Sequence, residues 1–155
     1  MILGEVTHLL ERALEKNKSL FLIDFSISEN NQIRIIIDGD NGVTVKDCIS
    51  ISREIAHNLD RDVHDFSLEV SSAGVSEPLI NIRQYYKNLG RKLKIKTLEG
   101  QILEGELTNV DDKEIKLKWK AREPKPIGKG KITVQKETVL YYKDIVEAKV
   151  MITFN

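Results

Sequence analysis

The sequence predicts an α+β protein: an N-terminal α/β domain of order α-β-β-α-β with a short following helix, then a small all-β barrel. Three observations carry this expectation. Apolar residues recur at helical spacing at the start of the chain and again after Thr44, with β-rich runs around them. From Arg91 onward the period falls to two, and Leu93, Ile95 and Thr97 alternate with Lys92, Lys94 and Lys96. Between the two patterns an alternating run (Phe66, Leu68, Val70) enters a turn, Ser71-Ser72-Ala73-Gly74, which Pro78 closes. The change of period places the domains at 1–89 and 90–155.

Taken in order, residues 2–17 set Val6, Leu9, Leu10, Ala13 and Leu14 on one helical face, with Glu5, Glu11, Arg12 and Glu15 mostly elsewhere. Residues 20–27 and 32–37 are rich in β-formers, and Glu29-Asn30-Asn31 between them is a turn signal, which predicts a hairpin of largely buried strands. Asp38-Gly39-Asp40-Asn41-Gly42 follows as a tight acidic loop. Thr44 is an N-cap residue type, and Asp47 completes a capping box with Asp in place of Glu. The helix so started puts Cys48, Ile51, Ile55, Ala56 and Leu59 on one face and ends near Leu59-Asp60. A third strand spans 66–71, and a helix near 80–89 stops at Gly90. Strands are then expected at 92–97, 101–110, 114–120, 131–136 and 145–154, separated by turn residues such as Gly100 and Asp111-Asp112. Five short strands at this spacing suit a small barrel of SH3-like or Sm-like shape.

Composition narrows the function classes. At 155 residues with 41% hydrophobic content, the chain has material for ordered cores in one domain or two small ones. A lone cysteine, Cys48, forms no internal disulfide, which fits a reducing cytosol. No charged leader precedes an apolar core, and no run nears the roughly 18 apolar residues of a membrane span, so a cytoplasmic protein without membrane contact is expected. The zero net charge conceals polarity: residues 1–89 hold 9 Lys/Arg against 14 Asp/Glu, and residues 90–155 hold 15 against 10.

Catalytic patterns are missing. Asp38, Asp40 and Asn41 resemble the start of an oxygen-rich cation loop, but an EF-hand begun at Asp38 would need Glu at its last position and has Ile49. His8, His57 and His64 have no spacing that ties them to Ser71, Ser72 or Cys48. Gly128-Lys129-Gly130-Lys131 lacks the spacing of a phosphate-binding P-loop. No catalytic residue, metal or cofactor is therefore expected. The basic residues Lys118, Lys120, Arg122, Lys125, Lys129 and Lys131 admit two readings, a solvated hairpin or an exposed, partly flexible loop that contacts phosphates. Trp119 beside them suits either a core or a stacking platform.

Ile37-Asp38-Gly39-Asp40-Asn41-Gly42-Val43-Thr44-Val45-Lys46-Asp47-Cys48, followed by Ser52-Arg53, Leu59-Asp60, the Ser71-Ser72-Ala73-Gly74 turn and Pro78-Leu79, closely resembles the RimP family of bacterial ribosome maturation factors. The resemblance extends to Leu89-Gly90-Arg91 and to residues 144–149. It implies an α/β domain joined to an Sm-like barrel, and a non-enzymatic protein, expected to be monomeric, that binds the free small ribosomal subunit during late assembly. It implies contact with a ribosomal protein of the decoding region through Arg53, Ser71, Ser72, Ala73 and Gly74. It also implies contact with ribosomal RNA, for which the lysine-rich segment is the candidate. The rival is a general RNA-binding Sm-like module without ribosome specificity. Two departures stand out: Ala73 occupies the place of a proline, and Ser76-Glu77 that of an Asp-Arg pair, so no arginine contact is carried over. The Lys120–Lys131 segment is longer than the family's and is expected to take up part of the RNA contact.

Overall fold

Ile33, Ile35 and Ile37 project from one side of a single strand, as the two-residue period requires, and the first core is built around them. The structure, a computed structural model, describes residues 2–152. Packing divides the chain into two compact units, Met1–Gly74 and Val75–Asn155. The first contains α1 (Ile2–Lys16), β1 (Leu20–Ile27), β2 (Gln32–Gly39), α2 (Val45–Ala56) and β3 (Ser67–Ser72). Its sheet has the order β1-β2-β3, with β1 antiparallel and β3 parallel to the central β2.

Val6, Leu9, Leu10 and Ala13 of α1 and Ile51 and Ile55 of α2 share one core with the β2 isoleucines, Leu59 and Phe66. Full burial of each large aliphatic side chain stabilises the fold by about 1.5–3 kcal/mol. The expected burial of the first hairpin holds for β2 only. In β1, Leu20 and Phe21 are buried and the rest alternate outward, because β1 is an edge strand with a bulge between Leu22 and Asp24. The capping box of α2 forms as expected: Asp47 N–H donates to Thr44 Oγ1 (3.1 Å) and Thr44 N–H to Asp47 Oδ2 (2.9 Å). The helix stops at Ala56, earlier than expected, where the Asn58 side chain donates to the Glu54 carbonyl (2.7 Å). Leu59 reaches the core from the turn beyond.

The second unit contains α3 (Ile82–Lys87), β4 (Lys92–Thr97), β5 (Ile102–Val110), β6 (Glu114–Pro124), β7 (Lys131–Tyr141), a 3-10 turn at Tyr142–Asp144 and β8 (Ile145–Val150). Asn81 and Gln84 form a second capping box at α3. Tyr85 of α3 enters the second core and meets Tyr142 edge-on, 5.0 Å between ring centroids. This packing draws α3 into the second unit, so the boundary at Gly74/Val75 precedes the change of periodicity at 89/90.

The five strands form an antiparallel sheet of order β7-β6-β5-β4-β8. The expected barrel closure is absent: among the described residues β7 and β8 remain the two edges. The reason lies in where β5 and β6 part. Pairing of β5 with β6 ends at Glu106–Lys118, while β6 and β7 stay paired out to Pro124–Lys131. Residues 119–124 and 131–136 therefore leave the sheet as a two-stranded ribbon. The basic segment expected to be a flexible loop is thus mostly strand, with only 125–130 as its turn. That turn uses left-handed glycines, Gly128 (φ 86°) and Gly130 (φ 98°), and Lys125 N–H donates to the Gly130 carbonyl (3.1 Å). The expected last strand stops at Val150; its end at 153–154 lies outside the described residues.

Thr44→Ala should cost about 1 kcal/mol of stability, the usual effect of losing an N-cap hydroxyl, read as a shift in denaturant midpoint without a change in slope. Burial pushes the Tyr85 hydroxyl from its ordinary 10.0 up to about 12. The fold favours the neutral phenol, so this contribution is complete below pH 10.0 and lost as the pH rises through about 12. Thermal melts across that window should show falling stability, and Tyr85→Phe should fall less steeply.

Candidate functional site

Parallel pairing of β2 and β3 sets their C-terminal ends side by side. The Asp38–Gly42 turn and the capped start of α2 follow β2 directly, so they share that end of the sheet with Ser71, Ser72, Ala73 and Gly74. The turn is tightly made. A Cβ on Gly39 would run into the Gly42 carbonyl, and Gly42 sits at φ 89°. Asp38 Oδ1 accepts from Gly39 N–H (2.8 Å), and Asp40 N–H donates to the Ser19 carbonyl (2.8 Å). Asp38 and Asp40 therefore serve a strand-to-helix turn. Ser72 and Gly74 are exposed, Ser71 and Ala73 half-buried, and neither serine hydroxyl has a hydrogen-bond partner among the described residues.

Arg53 is not brought to this loop. It lies on the solvent face of α2 beside Lys46, Ile49 and His57, nine residues past the N-cap or about 13 Å along the helix axis. No hydrogen bond or ion pair joins it to residues 71–74 among the described residues. The histidines stand apart as well: His64 Nε2 faces Glu5 (3.4 Å). Cys48 is half-buried against the first core, and its thiol is pushed up by burial and by the neighbouring Asp47 carboxylate, opposite to the shift that activates a nucleophile. Among the described residues no cluster of His, Cys, Asp or Glu could hold a metal ion, and no helix is long and apolar enough to cross a membrane.

The second surface is built by alternation. Ile115, Leu117 and Trp119 turn to the core side of β6, and Trp119 packs there, which decides for its core reading. Lys116, Lys118, Lys120 and Arg122 turn to the other side, opposite Val139, Glu137, Gln135 and Thr133 of β7. Register carries this face across the sheet: Lys118 lies opposite Glu106, Glu106 opposite Lys92, and Lys94 opposite both Glu104 and Lys149. Lys92, Lys94, Lys96 and Lys149 thus join the basic face. The sequence-based set omits them: the alternation of Lys92, Lys94 and Lys96 shows that these three share one side of β4, and only the register joins that side to Lys118 and Lys149.

Charge on this face is uneven. Glu137 pairs with Lys116 (3.9 Å) and Lys118 (3.8 Å), and Glu147 with Lys149 (3.5 Å). Arg122 is oriented by Thr133 Oγ1 (3.0 Å) and the Lys131 carbonyl (3.3 Å), while Glu123 pairs with Lys136 on the opposite face. Lys120, Lys125, Lys129 and Lys131 are exposed and have no ion-pair partner among the described residues. The uncompensated positive charge gathers toward the ribbon tip.

The family profile of the RimP N-terminal domain matches residues 9–76. A protein of Christiangramia forsetii named ribosome maturation factor RimP is 61% identical over 154 residues, 99% of this chain and 100% of its own length. The protein of that name from Flavobacterium psychrophilum is 53% identical over 150 residues, 97% of each chain. The one from Porphyromonas gingivalis W83 is 33% identical over 129 residues, 83% of this chain and 84% of its own.

Ala73 has a consequence of its own at the loop. Its N–H donates to the Ile37 carbonyl (2.9 Å) and extends the β2–β3 ladder by one step, which a proline there could not do. Ala73→Pro restrains the unfolded chain but removes this bond, and the loss outweighs the gain where the N–H was engaged. Equilibrium unfolding should show Ala73→Pro less stable by about 1 kcal/mol.

Proposed function

The chain belongs to the RimP family of ribosome maturation factors, and we propose that it binds the free small ribosomal subunit and assists its late assembly. It does so through ribosomal RNA and a ribosomal protein of the decoding region. The observation that carries the RNA half is the basic row on the ribbon, in which Lys120, Lys125, Lys129 and Lys131 have no ion-pair partner among the described residues. Lys118, Lys120, Arg122, Lys125, Lys129 and Lys131 contact phosphates, releasing counterions and setting position without reading bases. The serine loop, Ser71, Ser72, Ala73 and Gly74, meets the ribosomal protein, with Arg53 as a separate contact from the solvent face of α2. The acid-rich charge of residues 1–89 complements a basic partner.

In this reading the five-stranded sheet is an Sm-like module opened by its long β6–β7 ribbon. The protein is a cytoplasmic monomer that works by binding and needs no cofactor. Names of the relatives support the ribosomal role. A second reading, a general RNA-binding module, is favoured by one feature: the ribbon offers charge but no base-reading constellation on its tip. Competition separates the two, since unrelated RNA should displace a general binder and leave a maturation factor on the subunit.

Replacing Lys118, Lys120, Arg122, Lys125, Lys129 and Lys131 by Ala should weaken co-sedimentation with free small subunits. The slope of log affinity against log salt should flatten by about 0.7–0.9 for each phosphate that is no longer neutralised. An unchanged slope across the salt series would remove the RNA role of the ribbon.

A further inference from the structure

The first sheet has two open edges, and they differ. The edge at β1 is broken by the bulge between Leu22 and Asp24. The edge at β3 is regular: six consecutive residues, Ser67 to Ser72, pair in register with β2, and among the described residues none pairs on the other side. The strand contains no lysine, proline or bulge, three of the devices that keep a free edge from recruiting another chain, and its one charged residue is Glu69.

Hydrogen-bond alternation tells which groups are available. Ser67 N–H donates to the Asn31 carbonyl (3.1 Å) and Ala73 N–H to the Ile37 carbonyl (2.9 Å), both on the β2 side. In a parallel ladder alternate residues turn both backbone groups the same way, so Leu68, Val70 and Ser72 present N–H and C=O to the open edge. The residues leading into β3 are mostly acidic. Exposed Asp60, Asp62 and Asp65 precede the strand, and Arg61 between them lies over the Phe66 ring, 4.2 Å from its centroid, with Nη1 donating to the Phe66 carbonyl (3.3 Å). Glu69, the one charged residue of the strand, faces Arg34 of β2 (3.6 Å) and leaves the aspartates to set the sign of the approach.

We infer that β3 takes an extended, lysine- or arginine-rich segment of the ribosomal protein as a fourth strand, paired to Leu68, Val70 and Ser72. This rests on the ribosomal-protein contact proposed above and changes its nature, from a loop offering hydroxyls to a sheet edge offering backbone. The serine loop then marks the end of the docked strand.

The test uses the full chain and purified free small subunits. Ser72→Pro deletes an outward N–H and leaves the β2 ladder intact, whereas Ser72→Ala keeps the N–H and deletes the hydroxyl. Ser72→Pro should bind roughly five- to tenfold more weakly than Ser72→Ala, the loss of one backbone hydrogen bond that the alanine variant keeps. Wild-type affinity for Ser72→Pro, or equal weakening by both variants, overturns the inference. Should Ser72→Pro fail to fold, amide exchange on the unaltered chain decides: Leu68, Val70 and Ser72 should gain protection on the subunit, and no gain overturns it. Asp62→Asn with Asp65→Asn should weaken binding at low salt, and no effect overturns the basic character of the strand. Protection that grows with protein concentration alone, together with dimers in sedimentation, would assign the edge to a second copy instead. If the unaltered chain fails to pellet with small subunits, the ribosomal reading itself falls, and the inference with it.

Discussion

The parallel pairing of β3 with β2 is the constraint on which the first unit depends. Parallel neighbours cannot be joined by a tight turn, so the chain must leave the end of β2, cross over and return to the other end of the sheet. α2 is that crossover. It must start within a few residues of β2, which leaves room only for Asp38–Gly42, and this is why Gly39 has no space for a side chain and Gly42 adopts positive φ. The Thr44–Asp47 capping box then satisfies the first N–H groups of the helix where the turn delivers them. Ile51 and Ile55 close over the β2 isoleucines, and β3 is laid down with its C-terminal end beside the turn.

In the second unit the same period of two does a different task. Alternation places Leu93, Ile95, Leu107, Ile115 and Leu117 on the core side and the lysines of β4 and β6 on the other. One stretch of sequence therefore supplies both a core and a charged face, with no separate binding element. Extension of β6 and β7 beyond their pairing with β5 takes this face away from the glutamates of β5 that balance it. An isolated two-stranded ribbon is only marginally stable. Arg122 to Thr133 and Lys136 to Glu123 bind its strands to each other, one tie on each face, and leave Lys120 and Lys131 unpaired.

Much of this was legible in the residues because it is local. The α2 cap, the hairpin turn at Asn31 and the alternation of β4 are written within a few positions each. What escaped is what depends on distance. Asn81 and Gln84 form a cap as good as that of Thr44, but α3 belongs to the second unit because Tyr85 meets Tyr142, a contact between residues far apart in sequence. Glycines and prolines between Pro124 and Gly130 suggested a loop, yet residues on both sides of them pair, since cross-strand partners are invisible in one strand alone. The same limit hid Lys92, Lys94 and Lys149 from the basic set: only the register shows that they share a face with Lys118. Arg53 stands about two to three turns past the N-cap of α2 on its solvent face, a distance that motif order does not express.

Ala73 shows how a departure from a family pattern is read once the ladder is known. As a sequence feature, alanine in place of proline is a lost restraint and implies a looser loop. In the structure the same alanine has an N–H, and that N–H closes the last rung onto Ile37. The two effects act on different states: proline narrows the unfolded ensemble, while the rung holds the folded one. A change that seems to weaken a recognition loop therefore leaves a bond that ties the loop to β2. The place to expect altered contacts with a partner is then the backbone of residues 68–72 as much as the side chains of 71–74.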